Sequence, residues 1–276
     1  MAKSVFRVSE SEAEKLVKLA RRYTGVALDS GRLDFIQARL LPVLNACSLE
    51  CFADLIRLLE VGESDSIKNA FIDAITTHET YFYREPSAFT LLKNTIIPRY
   101  VRDGRGPVLR ICSAACSTGQ EVYSICMVLD ELSGMLDQVR IRIDGYDISD
   151  ACISTARHGS YTAYEVNRGL SLVDVSKYFE KIGSRYVIVE RFRRMAKFKT
   201  LNLLGELGAM PAYDIIFCRN IMNYFESGDR VRLFRNLASV TVQGGVMIAG
   251  GAEILPKEIK EFESHHGDGC VYYQRV

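Results

Sequence analysis

Residues able to hold a charged or nucleotide-like ligand are concentrated where the sequence changes character twice within one short stretch, Val108 to Ile125, VLRICSAACSTGQEVYSI. An apolar run, Val108 to Ile111, gives way to Ser113, Ala114, Ala115, Ser117, Thr118 and Gly119, whose small side chains let backbone approach a ligand closely. Glu121 then opens a segment with Val122, Ile125 and Leu129 at helical spacing. Strand, tight small-residue turn and helix form the first unit of a nucleotide-binding α/β sheet, where ligands lie beyond the carboxyl ends of the strands. A second apolar run, Val139 to Tyr146, ends in Asp147, a position from which an acid hydrogen-bonds ribose hydroxyls in such folds. Neither G-x-G-x-x-G nor a Walker loop is present, so a plain strand-to-helix connection fits the same stretch.

A second stretch, Thr76 to Phe89, TTHETYFYREPSAF, places three consecutive aromatics, Tyr81, Phe82 and Tyr83, among His78, Glu79, Thr80, Arg84 and Glu85. No single helical face can bury three aromatics in a row. The segment should leave the helix and face something, with a core-packing loop as the alternative, and Pro86 suits the first turn of the next helix. The eight cysteines include no C-x-x-C: Cys47 and Cys51, like Cys112 and Cys116, are four apart. Cys126, Cys152 and Cys218 have apolar neighbours, so reduced core thiols are expected. His265, His266 and Cys270 lack an obvious fourth ligand, and no metal site is assigned.

These groups need elements to hold them. From Ser9 to about Tyr100 apolar residues recur at three and four: Leu16, Leu19, Ala20, Tyr23; Leu33, Ile36, Leu40, Val43; Phe52, Leu55, Ile56, Leu59; Ile67, Phe71, Ile75. Helices are expected there, with Gly25, Pro42 and Gly62 as turn or boundary residues. Arg32 and Arg39 on the second helix suit either a solvated face or a docking surface for an acidic partner. After the turn cluster Arg102 to Pro107, strands and helices alternate: Val108 to Ser113, Glu121 to Leu132, Val139 to Tyr146, Ser149 to Arg157. A strand around Phe198 to Leu201 leads into Asn202, and Tyr213 to Cys218 leads into Arg219 and Asn220. The helix Asp229 to Val240 and strands Val246 to Ala249 and Val271 to Gln274 complete a sheet of mixed direction. The expected domains are a helical one over 1–92, a linker helix and turn over 93–107, and an α/β domain over 108–276.

Composition narrows the function classes. With 276 residues, 48% of them hydrophobic, a substantial core is available. Thirty-five basic against 34 acidic residues leave a net charge of +1, which supplies no global attraction to nucleic acid or an anionic membrane. No apolar run reaches the length of a membrane span, and the start MAKSVFRVSESEAEK has no signal-peptide core. A cytoplasmic protein without direct membrane insertion is expected.

In order and spacing, TTHETYFYREPSAF, LRICSAACSTGQEVYSI, GYDISDACISTARHGSY and YDIIFCRNIMNYF, with NLL at 202–204 and VQGGVMIAGGAEIL near the end, carry a resemblance over nearly the whole chain. The sequence resembles the chemotaxis receptor methyltransferase family (CheR type), enzymes that use S-adenosylmethionine to methylate glutamate side chains of chemoreceptors. The resemblance implies a Rossmann-like α/β methyltransferase sheet, an N-terminal all-α domain and a small β-subdomain, placed at about 183–197 with Arg191 to Arg194 as a turn. It implies that His78, Thr80, Arg84, Ala114, Glu121, Asp147, Asn202, Leu203, Arg219 and Asn220 bind the cofactor. Arg84 would lie beside the methyl group and Tyr224 at the acceptor mouth, the two forming the catalytic pair. His78 stands where the family commonly has Asn, Gln120 where a second Glu is common, and Val122 where Pro is usual. Gly251-Ala252-Glu253 replaces a more common Ser before the Glu.

Methyl transfer from a sulfonium to a carboxylate is an in-line displacement. A glutamate carboxyl ionises near pH ~4.3, so the ionised side chain is already nucleophilic at neutral pH. Alignment and desolvation should carry the catalysis, with no general base, metal or cysteine nucleophile. The implied partner is a chemoreceptor cytoplasmic domain, met through the helical domain around Arg32 and Arg39 by a monomer. The compact β-subdomain resembles that of members that need no receptor C-terminal tether peptide. Two other readings fit the same fold: a methyltransferase with a different protein or small-molecule acceptor, and a catalytically silent cofactor-binding signalling protein. The charge balance disfavours a nucleic-acid substrate.

Overall fold

Apolar residues recurring every three and four positions become the buried faces of four helices: α1 (Glu10–Thr24), α2 (Leu33–Ala46), α3 (Phe52–Val61) and α4 (Asp65–Ile75). The computed structural model describes residues 7–276; residues 1–6, part of the expected 1–92 domain, lie outside the described residues. Leu16, Leu19, Ile36, Leu40, Phe52, Leu55, Leu59, Phe71 and Ile75 form one buried cluster. Ser9 and Glu12 close a capping box at the start of α1, and Gly25 and Gly62 end α1 and α3 in the left-handed conformation. Pro42 marks no boundary. It lies inside α2, whose Leu40, Val43 and Leu44 are buried, and this burial offsets the helical hydrogen bond that a proline forgoes.

The chain divides into two compact units, one running up to Thr77 and including Tyr224–Asp229, the other comprising His78–Asn223 and Arg230–Val276. The division falls ahead of residue 92 because Phe82, Ala88, Phe89, Leu91 and Leu92 are buried in one cluster with Leu109 and Ile111 of the sheet. In this second unit Pro86 opens α5 (Pro86–Leu91), which passes through a π-helical turn, Leu92–Ile96, into α6 (Ile97–Arg102).

The alternating half follows as β1 (Val108–Ala114), α7 (Gln120–Glu131), β2 (Arg140–Asp147) and α8 (Asp150–His158). Next come β3 (Ser160–Thr162), α9 (Ala163–Asn167), α10 (Leu172–Tyr178), β4 (Phe179–Ile182), β5 (Arg185–Ile188), α11 (Glu190–Met195) and β6 (Ala196–Thr200). The last elements are β7 (Tyr213–Cys218), a 3-10 turn at Met222–Tyr224, α12 (Ser227–Ser239), β8 (Thr241–Ala249), β9 (Phe262–Gly267) and β10 (Cys270–Arg275).

Seven strands form one sheet in the order β6-β2-β1-β7-β8-β10-β9. The strands β6, β2, β1, β7 and β8 are parallel, while at the far edge β10 is antiparallel to both of its neighbours, β8 and β9. From β1 the chain steps outward to β2 and β6 and then returns to the other side of β1 as β7. The order therefore reverses beside β1, the position beyond whose strand ends open α/β sheets bind their ligands.

The small β-subdomain is a separate three-stranded sheet, β3-β5-β4, spanning 160–188 instead of about 183–197. The expected turn Arg191 to Arg194 lies within the helix α11. Phe192 there is fully buried, while Arg193 and Arg194 pair with Glu190 one helical turn away, so the charged run satisfies itself along a helix.

Candidate active site

The sheet's register brings the predicted residues to one edge. Ala114 ends β1 level with Tyr146 on β2 and Cys218 on β7, and Asp147 is level with Thr200 at the end of β6. The segments leaving these strands, 115–119, 148–149, 201–204 and 219–222, thus emerge on the carboxyl side of four adjacent parallel strands.

After β1 the backbone turns through left-handed conformations at Ala115, Ser117 and Gly119. The turn aims the Ser117 N–H at Asp147 Oδ2, 2.8 Å away, while Oδ1 accepts from the Ser149 N–H at 3.0 Å. Asp147 is 7% exposed, and burial pushes its carboxyl above the usual aspartate value, although the Ser149 and Ser117 N–H groups and His78 pull it back. Ser117 Oγ also donates to the His78 carbonyl at 3.0 Å, tying the turn to the HETYFYREP segment. Among the described residues, His78, Asp147 and Cys152 are the one set of three whose possible ligand atoms lie within 4.8 Å of one another. The Asp147 carboxylate is oriented by two backbone donors and keeps lone pairs for two ribose hydroxyls, so the turn fits the cofactor expected there. His265, His266 and Cys270 form no such set; His265 stacks on Tyr272 at 5.3 Å.

A second cluster organises the β7 side. Arg219, with only 2% of its side chain exposed, donates through Nη1 to Glu121 Oε2 at 3.0 Å and through Nη2 to Glu85 Oε2 at 3.2 Å and to the Arg84 carbonyl. Glu121 accepts the Ser113 hydroxyl as well, at 2.6 Å. Glu85 caps α5 in a left-handed conformation and accepts from Asn220 Nδ2 at 2.7 Å and the Gly251 N–H at 2.9 Å. Burial would raise its carboxyl, but the bonds from Asn220 and Gly251 and the Arg219 guanidinium bring it below the usual glutamate value. The carboxylate of Glu253 collects four backbone N–H groups, those of Asn220, Ile221, Met222 and Gly250, at 2.7–2.9 Å. It thereby fixes the turn after β7, including Asn220 at φ +58.

The three aromatics separate in three directions. Phe82 is fully buried against Tyr161 and Phe179, and Tyr83 packs edge-on to Phe89. Tyr81 stays half-buried beside two guanidinium groups, those of Arg168 and Arg84. Arg84 itself is half-buried and donates through Nη1 to the Glu79 carbonyl at 2.6 Å.

The structure therefore gathers His78, Asp147 and Ser117 in one contact set and Arg84, Glu121, Arg219 and Asn220 in another. Thr80 is half-buried in the segment joining them, and Ala114 ends the central strand. Asn202 closes a turn on itself, Oδ1 accepting the Leu204 N–H at 2.9 Å, and Leu203 is buried. Tyr224 belongs to the other compact unit. Glu85 and Glu253 carry no functional signal in the sequence beyond the place of Glu85 directly ahead of Pro86, and Ser117 stands out there only as one of the small residues of the turn. Burial holds the Cys112, Cys116 and Cys218 thiols well above their usual value, which keeps them protonated and poorly nucleophilic.

A parallel sheet with its order reversing beside the first strand, and an acid at the end of the second, defines the Rossmann-like class that binds adenosyl cofactors. Within that class the chain belongs to the CheR methyltransferase family, whose family model, described as "CheR methyltransferase, SAM binding domain", matches residues 78–270. The match begins at the residue where the second compact unit begins. A chemotaxis protein methyltransferase of Vibrio parahaemolyticus is 30% identical over 272 residues, covering 97% of this chain and 98% of the relative. Chemotaxis protein methyltransferase Cher2 of Pseudomonas putida is 30% identical over 84% of this chain and 86% of its own length. That of Salmonella typhimurium is 29% identical over 92% and 88%. The protein is an S-adenosylmethionine-dependent methyltransferase. Among the described residues no helix is long and apolar enough to cross a membrane.

Proposed function

We propose that this protein methylates glutamate side chains on the cytoplasmic domain of a chemoreceptor, with the acceptor carboxylate oriented by Arg84. Bound S-adenosylmethionine supplies an electrophilic methyl group. The protein's own residues then have two tasks, to hold the cofactor and to present a desolvated carboxylate to it. Asp147 accepts the ribose hydroxyls, with Ser117 and Ser149 holding its carboxylate in place. His78, Thr80, Ala114, Asn202 and Leu203 line the same crevice.

The observation that carries the reading is the arrangement around Arg84. Its main-chain carbonyl is gripped by Arg219, whose guanidinium is in turn held by Glu121 and Glu85. Its side chain spends one donor on the Glu79 carbonyl, leaving the rest of the guanidinium fork for a charge-assisted bond to an incoming carboxylate. Arg219 is enclosed by these partners and lies over Phe89, so its service to the cofactor passes through Glu121 and Glu85. Asn220, bound to Glu85, does the same.

Acceptor docking is assigned to the helical unit. Arg32 is exposed and stacks on Phe35, which makes it available to an acidic receptor surface. Arg39 is also engaged within its own unit, donating to the Ala74 and Thr76 carbonyls at 3.3 and 2.9 Å. The protein acts in the cytoplasm as a monomer, without a nucleic-acid partner and without insertion into the membrane. The test is Arg84→Ala: turnover should fall by roughly a hundredfold or more, the scale of a positioned charged group, while thermal stability changes little. A variant that melts much earlier yet keeps its activity per folded molecule would make the residue structural.

A further inference from the structure

A second arginine shares both of the neighbours that hold Arg84. Arg168 follows α9, and its guanidinium lies 4.2 Å from the centre of the Tyr81 ring; that of Arg84 lies 6.0 Å from the same ring. Arg168 Nη2 donates to the Glu79 carboxylate at 2.5 Å, while Arg84 Nη1 donates to the Glu79 main-chain carbonyl at 2.6 Å. The two cations thus divide one glutamate between them. The chain path fixes the arrangement: Gly169 has φ +101, and a Cβ there would come within 1.9 Å of the Phe82 carbonyl oxygen. The segment bearing Arg168 therefore lies directly on the segment that runs from Tyr81 to Arg84.

Glu79 has 52% of its side chain exposed and lies five positions before Arg84. It is the same chemical group as the proposed acceptor. Being on the same segment, it would compete for the Arg84 guanidinium at a high effective concentration.

We infer that Arg168 is a positioning residue for the acceptor: by pairing with Glu79 and stacking on Tyr81, it keeps the Glu79 carboxylate off Arg84 and leaves that guanidinium to the incoming glutamate. The inference rests on the reading that Arg84 meets the acceptor. Two arginines and one glutamate leave one net positive charge to attract an anionic side chain. Without Arg168 the set is neutral, and Glu79 is released as an internal competitor.

The experiment is steady-state methylation of a receptor cytoplasmic domain by Arg168→Ala, Arg168→Lys, Glu79→Gln and the double variant Arg168→Ala/Glu79→Gln. S-adenosylhomocysteine affinity is measured on each by calorimetry, and Arg84→Ala serves as the control. Arg168→Ala should raise the acceptor KM by roughly three- to tenfold, with kcat less affected and cofactor affinity unchanged. Arg168→Lys should keep most of the wild-type KM, because it keeps the charge. The double variant should return KM to within about twofold of wild type, since the competing carboxylate is gone. A double variant no better than Arg168→Ala, or a single variant that loses cofactor affinity or kcat with KM unchanged, would overturn the inference. If Arg84→Ala leaves acceptor KM and kcat intact, the reading of Arg84 itself fails. If Arg84→Ala is inactive while the Arg168 series matches wild type, only the role of Arg168 fails.

Discussion

Asp147 could be found from sequence because its signal is local: a strand ends, a carboxylate follows, and the distance from the small-residue turn is set by one intervening helix. What holds it in place was not legible, since the Ser117 N–H reaches it from thirty positions away through a backbone turn that residue types alone do not specify. Asp147→Ala should weaken S-adenosylhomocysteine binding by roughly ten- to a thousandfold, given ~1.5–3 kcal/mol for each hydrogen bond to a charged group. Isothermal calorimetry would check this, and an unchanged dissociation constant in a folded variant would refute the assignment. A pH dependence follows from the same residue. Burial raises its folded-state pKa above that of an ordinary aspartate, and the ionised form accepts the ribose hydroxyls. Affinity should therefore decline with falling pH earlier than an ordinary aspartate would dictate, through the raised pKa. Asp147→Asn should bind weakly with that acid limb absent.

At the scale of elements, the helices and the main strands of the sheet were readable because burial imposes periodicity on the residues. Strand β9 was not, since FESHHG exposes much of its surface at the sheet edge and shows no apolar alternation. The charged run Glu190 to Arg194 misled in the other direction, because four charges around one buried Phe192 suit a hairpin tip and a short helix equally well. The long-range anchors are invisible to any local pattern. Glu253 is one of these, and it organises the turn after β7 from more than thirty positions away. Glu253→Gln replaces one acceptor oxygen with a donor facing N–H groups, so it should destabilise the fold by about 1–3 kcal/mol and weaken cofactor binding with it. Denaturant titration alongside calorimetry would show both; a variant as stable as wild type would contradict the anchoring role. Gly169 gives a sharper case, since its close approach to Phe82 and its positive φ both require glycine. Gly169→Ala should cost at least about 1–3 kcal/mol from backbone conformation alone and lower receptor methylation with it. Unchanged unfolding and activity would argue against the packing of that loop on the Arg84 segment.

For the molecule as a whole, the family resemblance rested on several stretches in a fixed order, and the family match covers residues 78–270. The helical unit before it was legible as helices but not as a docking surface, because a basic residue such as Arg32 looks the same on a solvated face and on a docking face. The β-subdomain is three-stranded, with α11 in place of the expected turn, and we propose that recognition does not require the receptor's C-terminal tail. The most direct test of the account is transfer of labelled methyl from S-adenosylmethionine to receptor cytoplasmic domains, with and without their C-terminal tails, scored by release of the label in base. The account predicts base-labile label on both forms with wild-type protein, and almost none with Arg84→Ala. Label that resists base, or no label on any receptor domain from a protein that binds the cofactor, would contradict it.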